Sequence, residues 1–265
     1  MAQDHRIQQQ RFELKYLIKE ELVQPIRDFV GCYLEMDDFS VGRPNNAYEI
    51  HSIYLDSVDL FTHYATVNGD KNRFKLRFRY YDDRPDSPVF CEVKQRIDNS
   101  ILKQRCAIRR EIVPFVVGGQ IPAMEQLVTR EPRHLAALQR FNELLLRLNA
   151  APRLHNHYQR EAWVSTHDNS IRVTMDRNIR VEPYFGDQAI VPMVRPTRIY
   201  QDVIVLELKF TGRFPNWFNG LISRFNLMRA AAMKYSGGVV TVGEGNFHRP
   251  NPVRDEWAAF AVNNG

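Results

Sequence analysis

The stretch that decides the fold is Arg73-Phe74-Lys75-Leu76-Arg77-Phe78-Arg79-Tyr80. Its strict alternation has the period of a β-strand, placing Arg73, Lys75, Arg77 and Arg79 on one face and Phe74, Leu76, Phe78 and Tyr80 on the other. The apolar face packs on a core, while the cationic face looks onto water or a ligand. Side chains two apart on a strand lie about 7 Å from one another, so four like charges in one row repel unless acids or a bound anion answer them. Taken alone, the octet reads more readily as a solvated strand face than as a site. Its neighbours shift that balance.

Between Lys71 and Glu111, twelve Lys and Arg stand against six Asp and Glu, an excess of positive charge larger than the +5 of the whole chain. The positive field therefore belongs to one group of strands. Val89 to Arg96 and Ile101 to Ile112 alternate in the same way. They are separated from the octet and from each other by Asp82-Asp-Arg-Pro-Asp-Ser-Pro and Ile97-Asp-Asn-Ser, which are rich in turn formers. This predicts an antiparallel meander in which Glu92, Lys94 and Arg96 share a face of the middle strand and Lys103 and Arg105 a face of the third, both joining the face of Arg77 and Arg79 where register permits.

Working outward, Gln10 to Ile18 alternates as a first strand with Arg11, Glu13 and Lys15 on one face. Lys19 to Val30 has helical spacing, interrupted by Pro25, with Gly31 where a helix would stop. Tyr48 to Asp56 reads as a strand followed by a capped turn into a short helix. Arg133 to Leu148 reads as a helix. A second strand set follows at Arg153 to Thr166, Ile171 to Val181 and Asp202 to Phe210, and helical segments run from Trp217 to Phe225 and through Lys234-Tyr-Ser-Gly-Gly. No low-complexity linker divides the chain, so a single domain over 1–265 is expected. About eight antiparallel strands with charge on one face predict an α+β fold built on a closed β-barrel, its lumen charged and its helices packed outside.

Composition narrows the class. With 265 residues, 44% hydrophobic and 25% charged, the chain has ordinary globular content. No run approaches a membrane span, and Met-Ala-Gln-Asp-His-Arg-Ile lacks the apolar centre of a signal peptide, so a cytoplasmic location is expected. Cys32, Cys91 and Cys106 have no C-x-x-C spacing and read as structural thiols. There is no P-loop, and Gly243-Glu-Gly245 lacks the context of a dinucleotide fingerprint. His155 and His157 share a strand face, but no third ligand stands near them in sequence. Phe74, Phe78 and Tyr80 point away from the cations, which argues against base stacking and so against nucleic acid.

Guanidinium groups take phosphate oxygens in a bidentate fork and lysines add point charge, so Arg77, Arg79, Lys94, Lys103 and Arg105 suit a chain of phosphates. The carboxylates Glu13, Glu92, Asp176 and Glu207 have two readings, as donors to Mg²⁺ or Mn²⁺ or as partners in salt bridges across the lumen.

The ordered motifs resemble the VTC domain, the catalytic module of the vacuolar transporter chaperone polyphosphate polymerase within the CYTH-like triphosphate tunnel metalloenzymes. Arg11-Phe-Glu-Leu-Lys15-Tyr, Ser52-Ile-Tyr-Leu-Asp56, the basic octet, Glu92-Val-Lys94 and Lys103-Gln-Arg105 carry the likeness in the first half. Tyr158-Gln-Arg160-Glu-Ala162, Arg172-Val-Thr-Met-Asp176, Leu206-Glu207-Leu-Lys209 and Lys234-Tyr-Ser236 carry it in the second. The resemblance implies that Lys15, Arg77, Arg79, Lys94, Lys103, Arg160 and Lys234 act on the phosphates in transfer. It implies further substrate contacts from Glu13, Arg73, Lys75, Glu92, Arg105, Tyr158, Lys209 and Ser236, and a divalent metal, Mn²⁺ or Mg²⁺, on Glu207. ATP and polyphosphate are the implied partners, with the γ-phosphate of ATP added to the growing chain. A triphosphatase on the same fold, or a protein that only binds polyphosphate, is the alternative. Hydrolytic relatives open with E-x-E-x-K, whereas Arg11 here replaces the first acid, which favours the polymerase reading. The eukaryotic polymerase works in a membrane assembly, and a membrane-protein partner for this chain stays open.

Overall fold

The basic octet is a strand with the predicted faces, β4. The computed structural model describes residues 11–98, 100–166 and 170–249. In chain order the elements are β1 (Arg11–Lys19), α1 (Val23–Val30), β2 (Glu35–Met36), β3 (Tyr48–Asp56), α2 (Phe61–Val67) and β4 (Arg73–Tyr80). They continue with β5 (Val89–Ile97), β6 (Ser100–Ile108), α3 (Val113–Val117), α4 (Pro132–Arg147), β7 (Ala151–Val164) and β8 (Ile171–Pro183). The last are β9 (Thr197–Arg198), β10 (Val203–Thr211), α5 (Asn216–Arg224) and α6 (Lys234–Val242).

Two departures at element ends have local causes. The helix expected from Lys19 starts as a 3₁₀ turn at Glu20–Leu22 and becomes α-helical at Val23. That places Pro25 in the first turn, where a missing N–H costs no intrahelical bond. The third meander strand was expected to reach Ile112 but ends at Ile108, because Arg110–Ile112 turns into α3 with Pro114 in its first turn.

The described residues form two compact units, and β7 and β8 contribute to both. The first comprises 11–48, 159–178 and 200–232 without the undescribed positions. In it β1 pairs antiparallel with β10 and β10 with β8. Tyr16, Ile18, Val173, Met175, Leu206 and Leu208 form a buried layer with Val23, Ile26 and Val30 of α1 and Phe218 and Leu221 of α5. Each fully buried side chain of this size contributes roughly 1.5–3 kcal/mol.

The second unit comprises 49–158, 179–199 and 233–249. Its strand order runs β7-β3-β4-β5-β6, and β3, β4, β5 and β6 are joined by antiparallel ladders. Leu76, Phe78 and Tyr80 of β4 join Cys91 and Val93 of β5 and Cys106 and Ile108 of β6 in one core with α3 and α4. Phe78 meets Phe141 of α4 with ring centroids 5.4 Å apart. The covering of this apolar face by α4 leaves the cationic face of β4 for other work.

The α+β class and the antiparallel pairing hold, but among the described residues the expected closed barrel is not formed. Closure needs β1 to pair with β6, and these strands end the hydrogen-bonded order instead. Each outer edge is met by an irregular segment of its own unit. On β1, Tyr16 bridges Arg229 and the Ala230 N–H donates to the Lys15 carbonyl at 2.9 Å. On β6, Ile108 bridges Leu127 and the Val128 N–H donates to the Ala107 carbonyl at 3.1 Å. Covering an edge in this way meets the demand that closure would otherwise meet. Among the described residues no helix is long and apolar enough to cross a membrane.

Candidate functional site

Cross-strand register turns the alternating cations of the second unit into rows, since residues directly opposite one another share a face. One row is Lys75, Lys94 and Lys103 on β4, β5 and β6. The next is Tyr54, Arg77, Glu92 and Arg105, and the third begins with Ser52 and Arg79. The middle row centres on Glu92, whose side chain is fully buried. Arg77 grips one carboxylate oxygen through Nε at 2.8 Å and Nη2 at 2.7 Å. Lys103 Nζ meets the other at 2.8 Å, while Arg105 and Arg79 stand off at 3.7 and 3.9 Å.

Four cations thus face one acid. Burial alone would push the Glu92 carboxyl up, but Arg77, Arg79 and Lys103 overcome it and hold the group well below the usual carboxylate range. Burial, reinforced by Arg77 and Arg79, pulls Lys103 down to about 7 against the opposing pull of Glu92. Arg105 also lies over the Phe90 ring, 3.7 Å from its centroid.

Helix α6 brings a second set of groups to β4. Lys234, its first residue, sits 5.0 Å from the centre of the Tyr158 ring, and Arg79 donates to the Tyr158 hydroxyl at 3.3 Å. Tyr235 stacks on Tyr54 at 4.9 Å, and Arg77 donates to the Tyr54 hydroxyl at 3.1 Å. Tyr235 in turn donates to Asp56 at 2.8 Å, and the same carboxylate accepts the Thr62 and His63 N–H groups at the start of α2. Ser236 is buried and its hydroxyl finds no hydrogen-bond partner among the described residues. Gly238 lets the helix approach this closely: a Cβ there would stand 3.0 Å from both Leu154 and Val181 side chains.

Lys75 and Arg73 have local hydrogen-bond partners. Lys75 donates to the Thr62 carbonyl at 2.7 Å and the Thr66 hydroxyl at 2.6 Å on α2, and burial draws it down to about 7. Arg73 donates to the Asp70 carbonyl at the start of β4. His155 and His157 form a hydrogen-bonded group: His155 Nε2 lies 3.1 Å from His51 Nδ1 and 3.2 Å from the Tyr80 hydroxyl, and His157 meets Glu49 at 2.5 Å. Burial, with His157 close by, holds His51 at about 3 and His155 at about 4.

The first unit holds its own charged group. Across β1, β10 and β8 one row is Lys15, Glu207 and Thr174, and the next is Glu13, Lys209 and Arg172. Glu207 accepts from Arg160 at 3.1 Å and Thr174 at 3.3 Å, and pairs with Lys209 at 2.5 Å and Lys15 at 3.4 Å. Arg160 grips buried Asp176 in a fork at 2.6 and 2.7 Å, and Lys15 also pairs with Glu13 at 3.2 Å. Burial draws Lys209 down to about 8 despite Glu207. Asp176 is therefore a salt-bridge partner, the second of the two readings for that carboxylate.

Among the described residues no three His, Cys, Asp or Glu are grouped to hold a metal ion. Mg²⁺ and Mn²⁺ take hard oxygen donors and often only one or two carboxylates, with phosphate oxygens and water completing the shell. Glu207, with Glu13 beside the same lysine, fits that donor chemistry.

The VTC domain family model matches residues 10–242. The chain belongs to the VTC domain family. No match was found among curated proteins. Solved structures similar to this VTC domain include a proposed adenylate cyclase from Bacillus halodurans, at 11% identity and TM-score 0.48 over 85% of this chain and 94% of that one. The PH1819 protein from Pyrococcus horikoshii OT3 is similar at 13% identity and TM-score 0.42, over 88% of this chain and all of that one. Within this VTC domain, the side chains that motif reading left without a role are Ser52, Tyr54, Asp56, Thr174 and Tyr235. Ser52, Tyr54 and Asp56 fall on one strand face by simple alternation, a signal that was present in the sequence.

Proposed function

We propose that this VTC domain is a metal-dependent polyphosphate polymerase that moves the γ-phosphate of ATP onto a growing polyphosphate chain. The observation that carries the reading is the cluster around the buried Glu92 carboxylate, where Arg77, Arg79, Lys103 and Arg105 exceed the acid four to one. Such an excess is costly without an anion and suits a ligand with many phosphates. Arg77, Arg79, Lys94, Lys103 and Lys234 would bind and orient phosphoryl oxygens, with Arg105, Tyr158, Lys75, Arg73 and Ser236 bordering them. In the first unit Lys15, Arg160 and Lys209 hold the Glu207 carboxylate in position.

A Mg²⁺ or Mn²⁺ on Glu207 and Glu13 of the first unit would supply positive charge to phosphate oxygens bound there. The chain itself needs no side-chain nucleophile: the terminal phosphate oxygen of the acceptor attacks the γ-phosphorus, and the bond to the ADP oxygen breaks. What the protein contributes is position and charge. Incubation of the purified chain with ATP and Mn²⁺ is expected to give long polyphosphate and ADP. Orthophosphate and ADP alone would instead establish a triphosphatase.

A further inference from the structure

The four cations around Glu92 are not held alike. Arg77 and Lys103 are at 2.7–2.8 Å from its carboxylate, whereas Arg105 and Arg79 lie at 3.7 and 3.9 Å. Arg105 Nε is buried and has no hydrogen-bond partner among the described residues. Among the described residues Arg79 has only the neutral hydroxyls of Ser52 and Tyr158, each at 3.3 Å, within hydrogen-bond distance. Glu92 therefore faces two cations that it already binds and two that are poised for an external anion.

We propose that Glu92 is a built-in competitor for phosphate. It keeps Arg77 and Lys103 in place when no ligand is bound, and a polyphosphate chain must displace it to use them. This inference rests on the reading of the site as phosphate-binding and adds how tightly that site grips. Arg79 and Arg105 take phosphate oxygens first. Arg77 and Lys103 then exchange a carboxylate for a phosphate, an exchange of one anion for another that changes the free energy little in either direction. A phosphate chain held by such exchange can advance or leave, whereas four uncompensated cations would retain it. Glu92 is thus a positioning residue that acts through the cations rather than on the reacting atoms.

The test is calorimetric titration of the full chain with inorganic tripolyphosphate, comparing wild type with Glu92→Gln. The variant is expected to bind roughly tenfold or more tightly, because one negative charge has been removed from among the cations. Its melting temperature should lie below wild type without ligand and rise further on adding tripolyphosphate, since a ligand that binds only the folded state relieves the repulsion. With ATP and Mn²⁺, KM and kcat should fall together, the pattern of overtight binding and slow release. A merely structural role would lower stability without tightening binding. Equal or weaker binding by Glu92→Gln overturns the inference.

Where Glu92→Gln does not fold, Lys103→Gln and Lys103→Gln/Glu92→Gln answer the same question with one fewer cation in the cluster. Tighter binding by the double variant than by Lys103→Gln supports the inference, and equal or weaker binding overturns it. Tripolyphosphate that fails to bind wild type brings down the phosphate reading of the site, and this inference with it. Binding that is unaffected by Glu92 brings down this inference alone.

Discussion

Lys15 and Glu207 stand directly opposite one another on β1 and β10, with Nζ and Oε1 3.4 Å apart. The same carboxylate receives Arg160, Lys209 and Thr174, so one acid collects three cations from three strands. Its replacement separates binding from chemistry. Glu207→Ala should lower metal-dependent turnover of ATP by about 10²-fold or more. Tripolyphosphate affinity should change by less than about threefold, under about 0.7 kcal/mol. Unchanged turnover would remove Glu207 from the proposed metal site.

Arg77 and Glu92 form a buried fork, and removing one partner leaves the other without its best contact. Arg77→Ala should cost about 3–5 kcal/mol of stability, read as a lower urea midpoint. Arg77→Lys should recover only part of that loss, because a single ammonium cannot reproduce the two guanidinium N–H groups that converge on one carboxylate oxygen.

Lys103 gives the site a pH dependence near neutrality. Its folded-state value of about 7 lies below the ordinary 10.5, so in the free protein it loses its proton as pH rises through 7. The unfolded chain binds more protons in the window from about 7 to 10.5, and stability therefore increases with pH across it. Phosphate binding has the opposite preference, since the protonated lysine is the form that attracts it. Tripolyphosphate affinity should decline from pH 6 to pH 9, and binding at pH 8 should take up protons, seen as a heat that varies with the buffer's ionisation enthalpy. Lys103→Arg should flatten the profile, because guanidinium stays charged throughout. A profile equally steep in the variant would show that another group titrates.

Gly238 sets the depth at which α6 seats. A Cβ there meets Leu154 and Val181 at 3.0 Å, whereas one at Gly245 meets nothing within 4 Å. Gly238→Ala should therefore destabilise by about 1–3 kcal/mol through overpacking. Gly245→Ala should lie within about 0.5 kcal/mol of wild type. Thermal melts of the two variants check the contrast, and equal melting temperatures would contradict it.

Much of this was readable from residue spacing. Alternation in Arg73 to Tyr80 assigned the two faces of β4 correctly, because the period of a strand is local and the apolar face must find α4 and the neighbouring strands. What alternation does not contain is register. Which cations meet depends on pairing across Asp82 to Pro88 and Asp98 to Asn99, and only that pairing puts Glu92 between Arg77 and Arg105 while turning Lys75 toward α2. Barrel closure was illegible for the same reason. It would require β1 to pair with β6 across the length of the chain, and no local pattern shows that residues 127–128 and 229–230 take up those edges. Tyr54 was overlooked because aromatic residues at strand positions read as core, although its hydroxyl receives Arg77.

Asp56 and Tyr235 are 179 positions apart, yet they share a hydrogen bond on which the start of α6 depends. During synthesis the strands that carry Arg77, Arg79 and Lys103 leave the ribosome long before Tyr235 exists. Until then Asp56 lacks one of its partners, and Lys234 and Ser236 cannot take their places. The full set of cations in the second unit is therefore assembled only after the chain has been made through Lys234.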